Sequence, residues 1–130
     1  SQIYTLDTKM FEVDKLTTAI ITENPEIDLI VCSDSENTPG VAQVVIDLGK
    51  VGDINIIGYG AMPQTMGYIS DGVMYGTIAA DSYSIGYNTV MQLADLCEGK
   101  QISEFYNTDI YTFTADNLHE YREIFEDNDD

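Results

Sequence analysis

Five consecutive polar side chains, Ser33-Asp34-Ser35-Glu36-Asn37, follow the apolar run Leu29-Ile30-Val31-Cys32 and put hydroxyl, carboxylate and amide groups in one loop. Such a set of donors and acceptors at the end of a buried strand can hold a hydroxylated or amine-bearing ligand. The same residues also suit a purely structural role, with Ser35 or Thr38 capping the next helix while Asp34 and Glu36 face water. The sequence leaves both roles open. Asp34 and Glu36 alone are too few ligands for a metal ion, so no metal site is expected. A second loop, Gly58-Tyr59-Gly60, also follows an apolar run, but Pro63 stands where a dinucleotide fingerprint has its third glycine, and the acidic ribose partner is not evident. These residues predict a tight turn before a helix rather than a cofactor site. His119, the single histidine, is far in sequence from both loops, and no GxSxG or HExxH motif occurs, so neither enzymatic activity nor a cofactor is expected.

The elements that must position these loops follow from apolar spacing and from turn residues. A short β-prone stretch at residues 3–6 precedes a helix from about Met10, with Phe11, Val13, Leu16, Ala19 and Ile20 on one face. Asn24-Pro25 ends that helix, because a residue before proline is pushed out of helical angles. Residues 28–33, apolar without alternation from Leu29 to Cys32, read as a fully buried strand. Thr38-Pro39 then reads as an N-cap with proline at the first helical position, with Val41, Val44, Val45 and Leu48 inward and Gly49 as the stop. A strand at 54–59, a short helix from Pro63 with Met66 and Ile69 inward, and a strand at 74–79 follow. Asp81 or Ser82 can cap a long helix to about Cys97, with Gly99 just beyond it. That helix carries two apolar stripes: Ile85, Leu93 and Leu96 form one, and Tyr83, Tyr87, Val90, Met91 and Ala94 the other. A one-sided surface helix needs only one, so two partners are expected. A partly alternating strand at 109–114 and a closing helix at 116–125 complete the chain. Strands alternating with helices predict an α/β fold, a three-layer open parallel sheet covered on both faces.

A chain of 130 residues, 44% hydrophobic, is long enough for one domain with its own core. Residues 1–126 are expected to form it, with 127–130 as an acidic tail. Twenty-three acidic against five basic residues give a formal charge of -18, which repels nucleic-acid backbones and anionic lipid. No apolar run approaches the roughly 18 residues of a membrane span. Cys32 and Cys97 have no CxxC spacing. Cys32 is expected as a small buried hydrophobe, with a bond between the two neither required nor excluded.

The phrases running from Pro25 to Asp34, from Ile56 to Gly60, from Ser70 to Ala79 and from Ile85 to Tyr87 resemble one family across nearly the whole chain. It is the second lobe of type I periplasmic solute-binding proteins, the ribose-binding and lac-repressor-like group. The resemblance implies a Rossmann-like lobe that contributes half of a ligand pocket, the other half lying on a first lobe that this chain lacks. It places crossings between lobes at Ala80 and near residues 109–114, so the helix after Ser82 is expected to pack on that first lobe. It implies a sugar-type solute, a transporter permease or receptor as partner, and an extracytoplasmic location. Sensing ectodomains and the effector-binding cores of lac-repressor-like regulators are alternatives on the same fold.

The resemblance places the ligand contacts at Met10, Asp34, Gly60 and Ala80, where arginine, asparagine or aspartate, aspartate, and glutamine are common. Ser33, Ser35, Asp81 and Tyr83 join them as candidate ligand-binding residues, with Tyr59 and Met62 on the same rim. Three of the four matched positions are not polar here. The expected ligand is therefore a sugar or derivative that is larger, more apolar or amine-bearing rather than a plain monosaccharide, with Asp34 or Asp81 pairing any positive group. Without its partner lobe, the chain is expected to self-associate through the helix from Ser82 to Cys97.

Overall fold

The structure is a computed structural model that describes residues 10–121 and Ile124, with the backbone alone described at Met10 and Phe11. The strand expected at 3–6 and the acidic tail lie outside the described residues. Four strands form one sheet in the order β1-β2-β3-β4: β1 (Leu29–Val31), β2 (Asn55–Tyr59), β3 (Gly76–Ala80) and β4 (Ile110–Thr114). β1, β2 and β3 are parallel, as expected, with Val31 opposite Ile57 and Tyr59 opposite Ile78. β4 departs from that expectation and runs antiparallel to β3, with Ala80 opposite Ile110. The reason lies in the path of the chain. It leaves β3 at its carboxyl end, runs through a helix and the segment 98–109, and returns beside the same end.

Helices connect the strands where the turn chemistry places them. In α1 (Met10–Glu23), Val13, Thr17 and Ile21 are buried at intervals of four, while Leu16 is exposed. The buried stripe is thus rotated from the one the spacing predicts, because α1 packs mainly along α2 and shows it a narrow line of side chains. Asn24 closes the helix, donating from its amide side chain (Nδ2) to the Ile20 carbonyl at 2.8 Å. α2 (Thr38–Asp47) buries Val41, Ala42, Val44 and Val45, and α3 (Pro63–Ser70) buries Met66 and Ile69. Leu48 is left exposed just past the end of α2.

These helices share one core with one face of the sheet. Ile56 from β2, Ala79 from β3 and Phe113 from β4 meet Ile21, Val45, Met66 and Ile69 there. Tyr121, in α5 (Leu118–Tyr121), closes the far end with its ring edge-on to Phe113, the centroids 5.9 Å apart. Fully burying side chains of this size stabilises the fold by roughly 1.5–3 kcal/mol each.

The other face of the sheet differs from what was expected. Residues 28–33 read as buried on both sides, yet Val31 is 65% exposed and Leu29 is exposed beside it; Ile78 and Ile110 extend the same open face, Ile110 at 70%. Only Ile30 of β1 turns toward the core. Among the described residues no helix covers this face, although parallel sheets are almost always covered on both. α4 (Ser82–Cys97) is equally unaccompanied: none of its residues is buried, and Tyr83, Val90, Leu93 and Leu96 are exposed from both predicted stripes.

The two faces therefore make opposite demands on substitution. Ile56→Val is expected to lower unfolding free energy by about 1 kcal/mol, whereas Val31→Thr on the open face should stay within about 0.5 kcal/mol. Urea unfolding of the two variants compares them directly, and equal losses would contradict this placement of the core.

Candidate functional site

The carboxyl ends of β1, β2 and β3 lie at one edge of the sheet, and each leads through a short loop into a helix. Residues 32–37 enter α2, residues 60–62 enter α3, and Asp81 enters α4. In open α/β sheets, ligands bind in the crevice outside these ends. The start of α1 belongs to the same end of the sheet, because Val13 lies against Gly40 in the first turn of α2.

The polar loop is ordered by Asp34. One carboxylate oxygen (Oδ1) accepts from the backbone N–H groups of Glu36 and Asn37, both at 2.8 Å. Its carbonyl accepts the Thr38 hydroxyl at 2.6 Å. Thr38 therefore does not cap α2 as its position suggests. The N-cap is Asn37, without a side-chain cap bond, and the Thr38 side chain is fully buried and turned toward β2. Its hydroxyl oxygen accepts from the Tyr59 N–H at 3.3 Å. The other half of the grip on β2 is Thr77, also buried, which donates to the Gly60 carbonyl at 2.8 Å.

Two glycines make this grip possible. A Cβ on Gly58 would stand 2.6 Å from the Thr38 methyl and 2.7 Å from the Met74 methyl. Gly60 has φ +91, a conformation that side chains disfavour, and a Cβ there would stand 2.5 Å from Cβ of Ser35. The β1 and β2 loops thus touch at Ser35 and Gly60.

The candidate residues separate into three groups. Asp34, Ser35 and Gly60 come together between β1 and β2, with Ser33 exposed beside them. Ala80 sits half-buried at the end of β3, with Asp81 after it. Tyr83 lies apart on α4, 77% exposed, its ring stacked on Tyr87 at 6.3 Å. Met10 begins α1, and its side chain lies outside the described residues. Tyr59 and Met62 are exposed at the ends of β2 and its loop.

Asp81 is engaged in structure. Its Oδ1 accepts the Ser84 N–H at 2.9 Å and its Oδ2 the Ser84 hydroxyl at 2.6 Å, so that of the two caps the sequence allows, Asp81 or Ser82, Asp81 is the one that caps α4. Its N–H donates to the Asp109 carbonyl at 3.2 Å, tying the segment that leaves the sheet after β3 to the one that re-enters it at β4. The Ser84 hydroxyl and amide hold its carboxyl below the ordinary aspartate range. A cation would have to compete with that cap.

Cys32 and Cys97 are both free thiols. Burial pushes Cys32 up to about 11, with the Thr38 hydrogen bond pulling it down and the Asp34 charge adding to the rise. Cys32 is thus a neutral packing residue under the polar loop. Thr38 and Thr77 were not singled out in the sequence as site residues, and threonine beside a strand carries no signal of its own; the glycines opposite them were the available clue. A depression of about 270 Å³ at the opposite end of the sheet, lined in part by Asn55, Tyr75 and Thr114, has no connection with these loops.

Comparison with known proteins gives this geometry a context. The family described as "Periplasmic binding protein domain" matches residues 4–101. The D-allose-binding periplasmic protein of Escherichia coli (strain K12) is 29% identical over 80 residues, which are 62% of this chain and 26% of that one. An ABC transporter solute-binding protein from Agrobacterium vitis, solved with bound D-fucose, superposes with a TM-score of 0.87 at 20% identity, over 95% of this chain and 43% of that one. A chain of the XylFII-LytSN complex superposes at 0.76 with 25% identity, over 85% of this chain and 39% of that one. The chain spans about a quarter of the curated relative and about two-fifths of each solved one.

Two measurements test the local chemistry. At pH 8 a thiol reagent should label Cys97 in the folded chain and both cysteines in urea; labelling of Cys32 at the same rate as Cys97 would contradict its burial. The Asp81 cap is fully formed above the ordinary aspartate pKa of about 3.9 and is lost only as pH falls through its depressed folded value. The Ser84 amide should therefore stay protected at pH 4 and lose protection in Asp81→Ala, read by hydrogen exchange.

Proposed function

The chain belongs to the periplasmic binding protein family, and from that premise we propose that it is the second lobe of an extracytoplasmic sugar-type solute-binding protein serving an ABC transporter. The observation that carries the reading is the crevice at the carboxyl ends of β1, β2 and β3, walled by the Asp34 loop and the Gly60 turn. Asp34 keeps one carboxylate oxygen, Oδ2, outside the hydrogen bonds found among the described residues, and a carboxylate oxygen beside a hydroxyl suits a polyol. The named ligands of the relatives, D-allose and D-fucose, are consistent with this chemistry.

The ligand in this reading is a sugar or sugar derivative. The lobe supplies few charged contacts, since Gly60 and Ala80 bring no polar side chain and Asp81 caps a helix. Asp34 is then the principal contact, and a positive group on the ligand, where one exists, faces Asp34. Nothing in this reading requires a catalytic step, and His119 is exposed on α5, apart from the crevice loops.

The rest of the binding protein completes the pocket. α4 has no buried residue, and Ala80 pairs with Ile110 where the chain leaves and re-enters the sheet. This supports α4 as the element that packs on the first lobe, with the paired segments as part of the connection between lobes. The family's description supports an extracytoplasmic location, and among the described residues no helix is long and apolar enough to cross a membrane. A sensory role with a receptor partner is the second reading, favoured by the likeness to a protein solved in the XylFII-LytSN complex.

Isothermal titration of the two-lobe protein against monosaccharides and their glycosides tests the proposal. At least one sugar is expected to bind in the micromolar range or tighter. Asp34→Ala should weaken it by tenfold or more, since a hydrogen bond to a charged group contributes about 1.5–3 kcal/mol. Absence of binding across the panel would overturn the assignment. For the lobe alone, sedimentation should show self-association that Leu93→Glu reduces, and a monomer at high concentration would contradict the exposed α4 surface.

A further inference from the structure

We propose that Ser35 is a second ligand-facing side chain between β1 and β2, beside Asp34, and that Gly60 lacks a side chain to give it that place. The proposal rests on the sugar-binding reading and assigns one specificity-determining residue within it.

The geometry at this point admits one side chain. A Cβ on Gly60 would lie 2.5 Å from Cβ of Ser35, 3.4 Å from its Cα and 3.7 Å from its hydroxyl oxygen. The Ser35 side chain therefore begins where a side chain at position 60 would begin. Neither loop can easily step aside. Gly60 donates its N–H to the Ile78 carbonyl at 2.8 Å and accepts from the Thr77 hydroxyl at 2.8 Å. The Ser35 loop is pinned on its other side, where Asp34 accepts from Glu36, Asn37 and Thr38.

The chemistry of the pair then points outward. No hydrogen bond engages the Ser35 hydroxyl among the described residues, although the residue is half-buried. The neighbouring Asp34 carboxylate spends Oδ1 on two backbone N–H groups and leaves Oδ2 free of such bonds. A hydroxyl that both donates and accepts, next to a carboxylate oxygen that only accepts, matches two adjacent hydroxyls of a sugar ring. Substitution at Ser35 thus changes both the hydrogen bonding and the width of the crevice.

Two readouts in the two-lobe protein test this. The first is a thermal-unfolding cycle of Ser35→Gly, Gly60→Ala and the double variant. Gly60→Ala is expected to lower Tm in the parent and to lower it less in the Ser35→Gly background, because the clash is removed while the backbone strain stays. Equal losses in both backgrounds would overturn the interlock. The second is titration with whichever sugar the parent protein binds. Ser35→Ala keeps the packing and removes the hydroxyl, so affinity should fall about five- to tenfold, the effect of one neutral hydrogen bond. An affinity within twofold of the parent overturns the Ser35 assignment and leaves the sugar-binding reading intact. A parent protein that binds no sugar overturns both.

Discussion

The close passage of β2's last residues between two buried threonines is the constraint on which the rest of the site depends. Thr38 holds the Tyr59 N–H from one side, and Thr77 holds the Gly60 carbonyl from the other. A Cβ at Gly58 would stand 2.6 Å from the Thr38 methyl and 3.3 Å from the Thr77 hydroxyl oxygen, and one at Gly60 would stand 2.5 Å from Cβ of Ser35, all closer than ordinary van der Waals contact. Buried hydroxyls of this kind contribute most when both ends of each bond are satisfied, because an orphaned partner costs roughly 1–3 kcal/mol. The result is a fixed crevice edge in which the β1 loop reaches across to the β2 turn. Position and clearance at that edge are set by the fold itself.

The same chain is well packed on one side and open on the other. Ile56, Ala79 and Phe113 join side chains from four helices in a single core. Val31, Ile78 and Ile110 remain exposed across the sheet, and α4 buries nothing. An apolar sheet face of this extent is normally covered, and its exposure here accords with a chain that spans about two-fifths of its solved relatives. In the proposed two-lobe protein, the pocket and the packing are completed together.

The sequence made the order of elements legible wherever punctuation was strong. Asn24-Pro25, Pro39, Gly49, Pro63 and Gly99 bracket helices close to where they form, and the cap of α4 was narrowed to Asp81 or Ser82 by its place before the apolar run. The face of α1 was less legible, because several apolar residues offered alternative stripes and only contact with α2 selects Val13 and Ile21. β1 looked buried on both sides since Leu29-Ile30-Val31 carries no alternation, and composition cannot show whether a covering layer is present. The direction of β4 was likewise unreadable, being decided by where the segment 98–109 returns. At the site, the polar loop and the Gly60 turn were visible as separate features. Their contact was not, since it depends on strand register and on two threonines that look ordinary in sequence.

The central claim is that a sugar binds at the carboxyl ends of β1 and β2. Hydrogen–deuterium exchange on the two-lobe protein, with and without a saturating sugar, tests it most directly. The account predicts slower exchange on sugar addition in residues 33–37 and 59–62, with the depression near Asn55 and Tyr75 unchanged. Protection confined to that opposite end, or no change in the two crevice loops at saturation, would contradict it.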